Sequence, residues 1–494
     1  MCKKTKFNLK VCLLCFSVAF VACGSTQVDK KPIQTQLTDK LGQDTLVAHT
    51  FTWEQGDFKK VAFKTPDYSG QNGKIGWTAE TFQVPEGLRV NVDFWKNIYQ
   101  KYDSHQGVLH DSFHIDLVYK EIDFHPIMRD ESLSNSEKLR ARRKLVDSWK
   151  DRVKVAVKKI KGKQELDDFE KEVAAKISKY TEKNILDNLP DKGRLRFQLG
   201  QKDFIKNGFF HSGLYMAQLE EIFASYDLPK ELVRIAFVES SFNLRAHSKV
   251  GASGIWQIMP ATARRSLPMG YYYDYRNNPI AASHTAAKLL KYNFKVLGDW
   301  PRALTAYNFG AAGMRRLSKK LGTDKIAEMS KERTGRWGFA ASNFYASYLA
   351  LLDTEQKLLS MYENFQVRKP LYHKEIRLKK AVNWAWLKEQ IPDLEDFKDH
   401  NPQFKFSRFE GDTYLKKGLK IYGEVPVMEA LNVALLKAPK IKASKFQIHR
   451  VSRGETLSNI ARRYRVRMSS IASVNNLSSY HEIRIGQKLK IPVR

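Results

Sequence analysis

The sequence predicts a mainly α (α+β) protein: a large helical core, an N-terminal helical region before it, and a small C-terminal βααβ module. Three observations carry this. Apolar residues recur at spacings of three, four and seven between about residues 132 and 190. Helical segments broken by loops rich in glycine, proline and asparagine run from 203 to 355. Residues 445–494 read strand, capped helix, helix, strand. At 494 residues and 43% hydrophobic content, the chain has room for two to four domains with real cores.

In chain order, Lys3, Lys4, Lys6 and Lys10 precede the apolar run 11–23, "VCLLCFSVAFVAC". That is the layout of a secretory signal over residues 1–22, and it is too short to span a bilayer as a helix. The end of the run, Phe20-Val21-Ala22-Cys23, resembles a bacterial lipobox, although Phe20 stands where leucine is commonest. The resemblance implies cleavage after Ala22 and a lipid on Cys23, with Gly24 pointing to the outer membrane; an ordinary signal peptide or an uncleaved anchor is the alternative. All four cysteines lie at or before Cys23, so a chain cut there holds one cysteine and no internal disulfide. Loss of residues 1–22 removes four lysines and no acids from a net charge of +31, leaving +27. An exported chain does not meet genomic DNA. The charge is therefore expected to serve cell-wall carboxylates and anionic lipid, with no nucleic-acid partner.

Residues 23–90 read as a tether and irregular lead-in, and 91–200 as the helical region. Serine cap candidates open a helix that runs to Gly162, with an apolar stripe of Leu139, Val146, Trp149, Val153, Val157 and Ile160. Its other faces are rich in arginine and lysine, among them Arg140, Arg142, Arg143 and Arg152. They are either a solvated face or a surface for membrane or wall.

Residues 201–358 form the expected central domain. In "DLPKELVRIAFVESSF", 227–242, Asp227 reads as the helix cap, with Pro229 in the first turn and Leu232, Ile235, Ala236 and Phe242 facing inward. Glu239 falls one turn beyond Ile235, at the C-terminal end of the run. Apolar neighbours and the negative end of the helix both favour a protonated carboxyl there, the state a general acid needs. Between Glu239 and Asp274 there is no other acid.

In the last stretch, Thr456 caps a helix carrying Leu457, Ile460, Ala461 and Tyr464, and "EIRIGQKLKIP" alternates as an edge strand. An echo in 365–430, "DFKDHNPQF" and "LKKGLKIYGEVP", reads as a possible degenerate copy.

Four stretches together resemble the lytic transglycosylases, enzymes that cut the glycan of bacterial peptidoglycan. They are Glu239-Ser240, "GASGIWQ" at 251–257, Asp274-Tyr275-Arg276 and "ALTAYNFGAAG" at 303–313. Glu239 precedes Ser248 by nine residues and Gln257 by 18, as in that family. The C-terminal unit resembles a LysM domain at Gly454-Glu455-Thr456-Leu457, Ile460-Ala461, Asn475 and Gly486-Gln487-Lys488-Leu489. The arrangement resembles that of the membrane-bound, D-type members.

The resemblance implies a lysozyme-like catalytic domain in which a lone glutamate, Glu239, works without the second carboxylate of ordinary glycosidases. It implies substrate-binding roles for Ser248, Gln257, Tyr307 and Asn308. A cleft tyrosine is expected at Tyr345, or with a one-residue shift at Phe344. Trp256 is open between stacking on sugar and packing in the core, and Asp274 with Arg276 reads as a structural pair. In the LysM unit Gly454, Glu455, Thr456, Leu457 and Asn476 are glycan-contact candidates, each with a role in the fold as its alternative. The partner expected is the peptidoglycan glycan strand, at the periplasmic face of the outer membrane. No cofactor is expected, and the twelve histidines form no HExxH pattern, so no metal is expected. A hydrolytic muramidase on the same fold, or a non-catalytic wall-binding scaffold, are the rival readings.

Overall fold

The computed structural model describes residues 81–180, 193–363, 365–371, 374–409, 413–439 and 446–492, with Phe58–Lys59 and Leu186. The signal segment, Cys23 and nearly all of the 23–80 lead-in lie outside the described residues. No helix among the described residues is long and apolar enough to cross a membrane. The fold is mainly helical with small sheets.

The chain divides into two compact bodies, and the division runs through the stretch 201–358 rather than around it. The first body comprises residues up to His211, Phe237–Phe242 and Leu289–Val367. Helix α1 (Arg89–Gln100) packs on the long helix α11 (Phe339–Met361). There the Asn343 Oδ1 accepts from Asn91 Nδ2 at 2.9 Å and Trp95 Nε1 at 3.3 Å.

The N-terminal region is not purely helical. Strands β1 (Gln106–Asp111), β2 (Val118–Asp123) and β3 (Leu195–Leu199) form an antiparallel sheet with β1 in the centre. Helix α2 (His125–Arg129) follows β2 directly. Helix α3 (Asn135–Lys161) opens on a capping box, Ser134 with Glu137, and ends at Gly162. It buries Val146, Val153, Ala156 and Val157 against Leu109, Tyr119, Ile122 and Phe124 of the sheet side and Val173 of α4 (Asp168–Ile177). Two of its basic residues lie over aromatic rings instead of extending freely into solvent: Arg142 over Phe124 at 4.6 Å, and Arg152 over Phe169 at 5.1 Å. Helices α5 (Lys202–Ser212), α9 (Trp300–Phe309) and α10 (Ala311–Leu321) complete this body, with α9 against α11.

The second body comprises Ser212–Ala236, Asn243–Lys288 and Arg368–Arg494. Helix α6 (Met216–Ala224) packs on a 3₁₀ turn, Lys230–Arg234. That turn leads into α7 (Ile235–Ser240), and α8 (Pro279–Leu297) comes later in the chain. Strands β4 (Lys374–Arg377) and β7 (Lys420–Gly423) pair antiparallel. Between them come β5 (Val382–Asn383), α12 (Trp384–Glu389), α13 (Leu394–His400) and β6 (Tyr414–Leu415), so that two helices lie inside an inner strand pair, β5 with β6, and the outer pair β4 with β7. Helix α14 (Val425–Lys437) comes next.

The C-terminal module has two helices between a single strand pair: β8 (Phe446–Arg450), α15 (Leu457–Arg463), α16 (Met468–Val474), β9 (Lys488–Pro492), with the strands antiparallel. Thr456 accepts from Asn459 N–H at 3.2 Å, capping α15 as its sequence predicts. Leu457, Ile460, Ile471, Leu489 and Ile491 make its core. The module is docked on its own body. The Tyr480 ring stacks on Tyr271 at 4.9 Å. Arg408 donates to the carbonyls of Tyr271 (3.0 Å) and Ser478 (3.2 Å), and Lys416 Nζ to that of Ser473 (2.8 Å).

Candidate active site

Glu239 sits at the end of α7, in a run where Ile235, Ala236, Phe237 and Val238 are all buried. The start of this segment differs from the expectation. Asp227 adopts a left-handed backbone (φ 56°), and the N-cap of the 3₁₀ turn is Pro229, whose side chain has no oxygen with which to cap. Glu239 itself is half-buried, so a ligand can reach it, yet burial pushes its pKa up from 4.5 to about 8. Burial thus favours the protonated carboxyl at neutral pH.

The turn immediately after Glu239 fixes the position of the acid. Ser241 and Phe242 both take positive φ, 51° and 58°, an uncommon and costly conformation for non-glycine residues. The Ser241 N–H donates to Phe237 O at 2.7 Å, holding this turn, and Phe237 stacks on Phe209 of α5 at 4.2 Å. Gly208 makes that close approach possible: a Cβ there would meet the Ser241 carbonyl oxygen at 2.3 Å. Sequence reading missed Gly208; the available signal was a glycine inside an otherwise helical stretch.

Tyr307 and Asn308 lie near the C-terminal end of α9, both half-buried. The Tyr307 pKa is raised well above 10, first by burial and then by the negative charge of Glu239, which brings these two expected site residues within electrostatic reach of each other. Helix α9 is positioned at its start by Asp299, which accepts from Arg302 N–H at 2.8 Å. At its other end, Phe309 meets Trp337 edge-on at 5.0 Å.

The expected cleft tyrosine is placed differently. Tyr345 is 2% exposed and donates its hydroxyl to Gln83 O at 3.3 Å; Phe344 is equally buried. Both belong to the all-buried central stretch of α11, so as placed neither side chain offers a surface to a ligand.

In the second body, the 246–258 loop is built by its own hydrogen bonds. Ser248 N–H donates to Ala252 O and its Oγ accepts from Ala252 N–H, each at 2.9 Å. Gln257, at φ 43°, donates its amide nitrogen to Gly254 O (2.9 Å) and Ala246 O (3.3 Å). That leaves Oε1 as the atom a ligand can use. Trp256 is fully buried, stacked on Phe223 at 5.4 Å and donating to Ser283 Oγ at 2.8 Å, so of its two readings the core one holds.

Asp274 and Arg276 are a buried, two-pronged ion pair with bonds of 2.7 and 2.9 Å. Arg276 also donates to the carbonyls of Gly251 and Ile258, pinning both ends of the glycine loop. Gly254 closes against it: a Cβ there would lie 2.0 Å from the Arg276 carbonyl oxygen.

Most of the candidate contacts in the C-terminal module turn out to carry bonds or packing of the fold. Leu457 is 1% exposed and belongs to the module's core. Glu455 accepts from Ser452 N–H at 2.8 Å, lies 2.8 Å from His449 Nε2 and pairs with Arg463. Thr456 is the cap, and Gly454 turns at φ 82°. Asn476 accepts from Lys416. Asn475 ties α16 to β9 through bonds to Lys490 N and O at 2.8 and 2.7 Å.

Comparison with known proteins bears on both parts. The family described as the transglycosylase SLT domain matches residues 220–330, and the LysM domain family matches 449–492. The chain is 25% identical over 326 residues to membrane-bound lytic murein transglycosylase D of Escherichia coli K12, covering 61% of this chain and 68% of that one. It is 42% identical over 88 residues to the transglycosylase of Enterobacteria phage PRD1, covering 18% and 31%. It is 37% identical over 86 residues to a putative tributyltin chloride resistance protein of Alteromonas sp. M-1, covering 17% and 42%. The chain thus carries a transglycosylase SLT domain at residues 220–330 and, behind it, a LysM domain at 449–492.

Proposed function

We infer that this chain is a peptidoglycan lytic transglycosylase that cleaves the bond between MurNAc and GlcNAc with Glu239 as its sole acid and base. The observation that carries the reading is a carboxyl in a half-buried residue whose burial favours its protonated form at neutral pH, with no other acid between it and Asp274. Asp274 is tied up with Arg276 and is a poor candidate for a second one. In the first step Glu239 donates its proton to the glycosidic oxygen as the bond to the MurNAc anomeric carbon breaks. Glu239, now a carboxylate, takes the proton of the same sugar's 6-hydroxyl while that oxygen bonds to the anomeric carbon. The product is 1,6-anhydroMurNAc, no water is consumed, and Glu239 ends as it began. An intramolecular nucleophile lowers the barrier by up to ~7–11 kcal/mol in favourable geometry, which is why one acid suffices.

Tyr307 and Asn308, in the same body as Glu239, would line the sugar site; substrate-binding roles for Ser248 and the Gln257 carbonyl rest on the family resemblance alone. Tyr345 is left out, because its hydroxyl is engaged inside the core. The LysM domain would hold glycan and raise the local concentration of enzyme on an insoluble polymer. Its available contacts are the 454–456 turn and the rim of 476–483, and residues 365–430 would be a degenerate second copy. The lysine-led apolar run supports export, the lipobox resemblance of Phe20-Val21-Ala22-Cys23 supports a lipid on Cys23, and the positive charge suits an anionic wall. The deciding experiment digests purified sacculi and weighs the released muropeptides. Products one water lighter than reducing ends support the reading; reducing ends would make the enzyme a hydrolase, and no release with binding intact a scaffold.

A further inference from the structure

Within the first body, well before the acid in sequence, the open end of the β1–β2 hairpin gathers three side chains that nothing in the proposed reaction uses. Asp103 and His105 lie between α1 and β1, and His125 opens α2 just after β2. Each offers one ligand atom, and these atoms lie within 4.8 Å of one another. The backbone holds them in place. Phe124 N–H donates to His105 O at 2.7 Å, and Gln106 faces Asp123 in the strand register.

The hydrogen bonds around the group orient it. The His125 Nδ1 lies 2.6 Å from Asp123 Oδ1, which fixes the proton on that nitrogen. Its Nε2 then points at Asp103 Oδ2 from 3.3 Å. A lone pair facing a carboxylate oxygen is unfavourable unless a second proton or a cation lies between them. A carboxylate on the far nitrogen of an imidazole is the arrangement that orients histidines onto metals. The His105 ring stacks on that of His125 at 5.2 Å, with its Nδ1 3.9 Å from Asp103 Oδ1.

The charges nearby favour a cation. Asp123 and Asp203 join Asp103, and Asp203 holds the segment by accepting from the Ser104 N–H (2.8 Å) and Oγ (2.6 Å). Arg142, which donates to Ser104 O at 3.0 Å, is the opposing charge. The three candidate ligands keep 18–32% of their side-chain surface, enough for an ion and its waters to enter.

We propose that Asp103, His105 and His125 bind a zinc ion that clips the turn after α1 to the start of α2. Two imidazoles and one carboxylate are a donor set that suits Zn²⁺ over Mg²⁺ or Ca²⁺, with water completing a tetrahedron. The ion is structural: it joins the two ends of the hairpin and takes no part in glycan cleavage.

The test uses the full-length protein stripped with a chelator, then titrated with Zn²⁺ against a chromophoric competitor and with Co²⁺ as a visible-absorption probe. The expected result is one equivalent bound with a low-coordinate Co²⁺ spectrum, and at least a tenfold loss of affinity in His105→Gln and in His125→Gln. Asp123→Asn, which touches no metal, should weaken binding by roughly 10–100-fold, the effect typical of a partner that orients a ligand. Circular dichroism and muropeptide release, unchanged in these variants, establish that they fold; if either histidine variant does not, Asp103→Asn takes its place. Equal Zn²⁺ affinity in wild type and variants, or no stoichiometric binding at all, overturns the proposal.

Discussion

Glu239→Gln separates the burial of the acid from its chemistry. Between pH 4.5, the ordinary glutamate pKa, and about pH 8, the folded protein keeps a proton that the unfolded chain has released. The unfolded state binds fewer protons there, so stability falls as pH rises, by about 1.4 kcal/mol per pH unit. Over the whole window the loss comes to roughly 5 kcal/mol, an upper figure because Glu239 keeps some contact with water. Glutamine has nearly the same shape and no proton to lose. At about pH 5 the two proteins should therefore be similarly stable, and at about pH 9 the variant should be the more stable by several kcal/mol. Urea unfolding followed by tryptophan fluorescence at a series of pH values reads the difference, and every other titrating group cancels between the pair. Curves that stay parallel from about pH 5 to 9 would falsify the argument that burial holds this carboxyl protonated. In the same preparations, muropeptide release should fall by at least ~10²–10⁴-fold, since the variant has neither the acid nor the base.

Four further outcomes are expected. The rate of wild-type muropeptide release at low substrate should decline as pH rises through about 8, as Glu239 loses the proton it must donate; a flat profile to higher pH would count against Glu239 as the acid. Gly208→Ala drives a methyl group into the Ser241 carbonyl and should lower both stability, by about 1–3 kcal/mol, and activity, because the turn after Glu239 must shift. Gly254→Ala meets the Arg276 backbone and must hold φ 75°, so thermal melts should show a loss larger than at Gly208, with sugar binding weakened as well. Arg276→Met leaves Asp274 buried without its partner and frees two loop carbonyls, which should cost about 3–5 kcal/mol; Asp274→Asn in the same background should recover part of it.

The features readable from sequence were those with local causes. Ser134 and Gly162 bound α3 and Thr456 caps α15, because caps and periodicity are written within a few residues. The N-terminal sheet was not readable: β1 is buried from Gly107 to Asp111, on both faces, so its residues do not alternate. The cleft tyrosine failed for a related reason. In the stretch 341–350 every residue is buried, and apolar periodicity cannot tell which side of such a helix faces a ligand. Asp227 has the composition of a cap, but the 3₁₀ turn begins later and places it in a left-handed bend. In the C-terminal module, Glu455, Leu457 and Asn475 match a motif whose residues carry hydrogen bonds and packing of the fold.

The docking of the C-terminal module changes what its removal would mean. A domain on a loose string can be trimmed away with only avidity lost. Here the cut surface is structural: Tyr271, 6% exposed, would lose the ring of Tyr480, and Arg408 and Lys416 would lose the carbonyls they hold. Tyr271 lies three residues before Asp274, whose partner Arg276 pins the glycine loop. A protein shortened at about residue 440 is therefore not the same enzyme minus its grip, but one with a wetted, less supported loop. Its lower activity would mix two losses that only point variants in the 454–457 turn, set beside Tyr480→Ala, can pull apart.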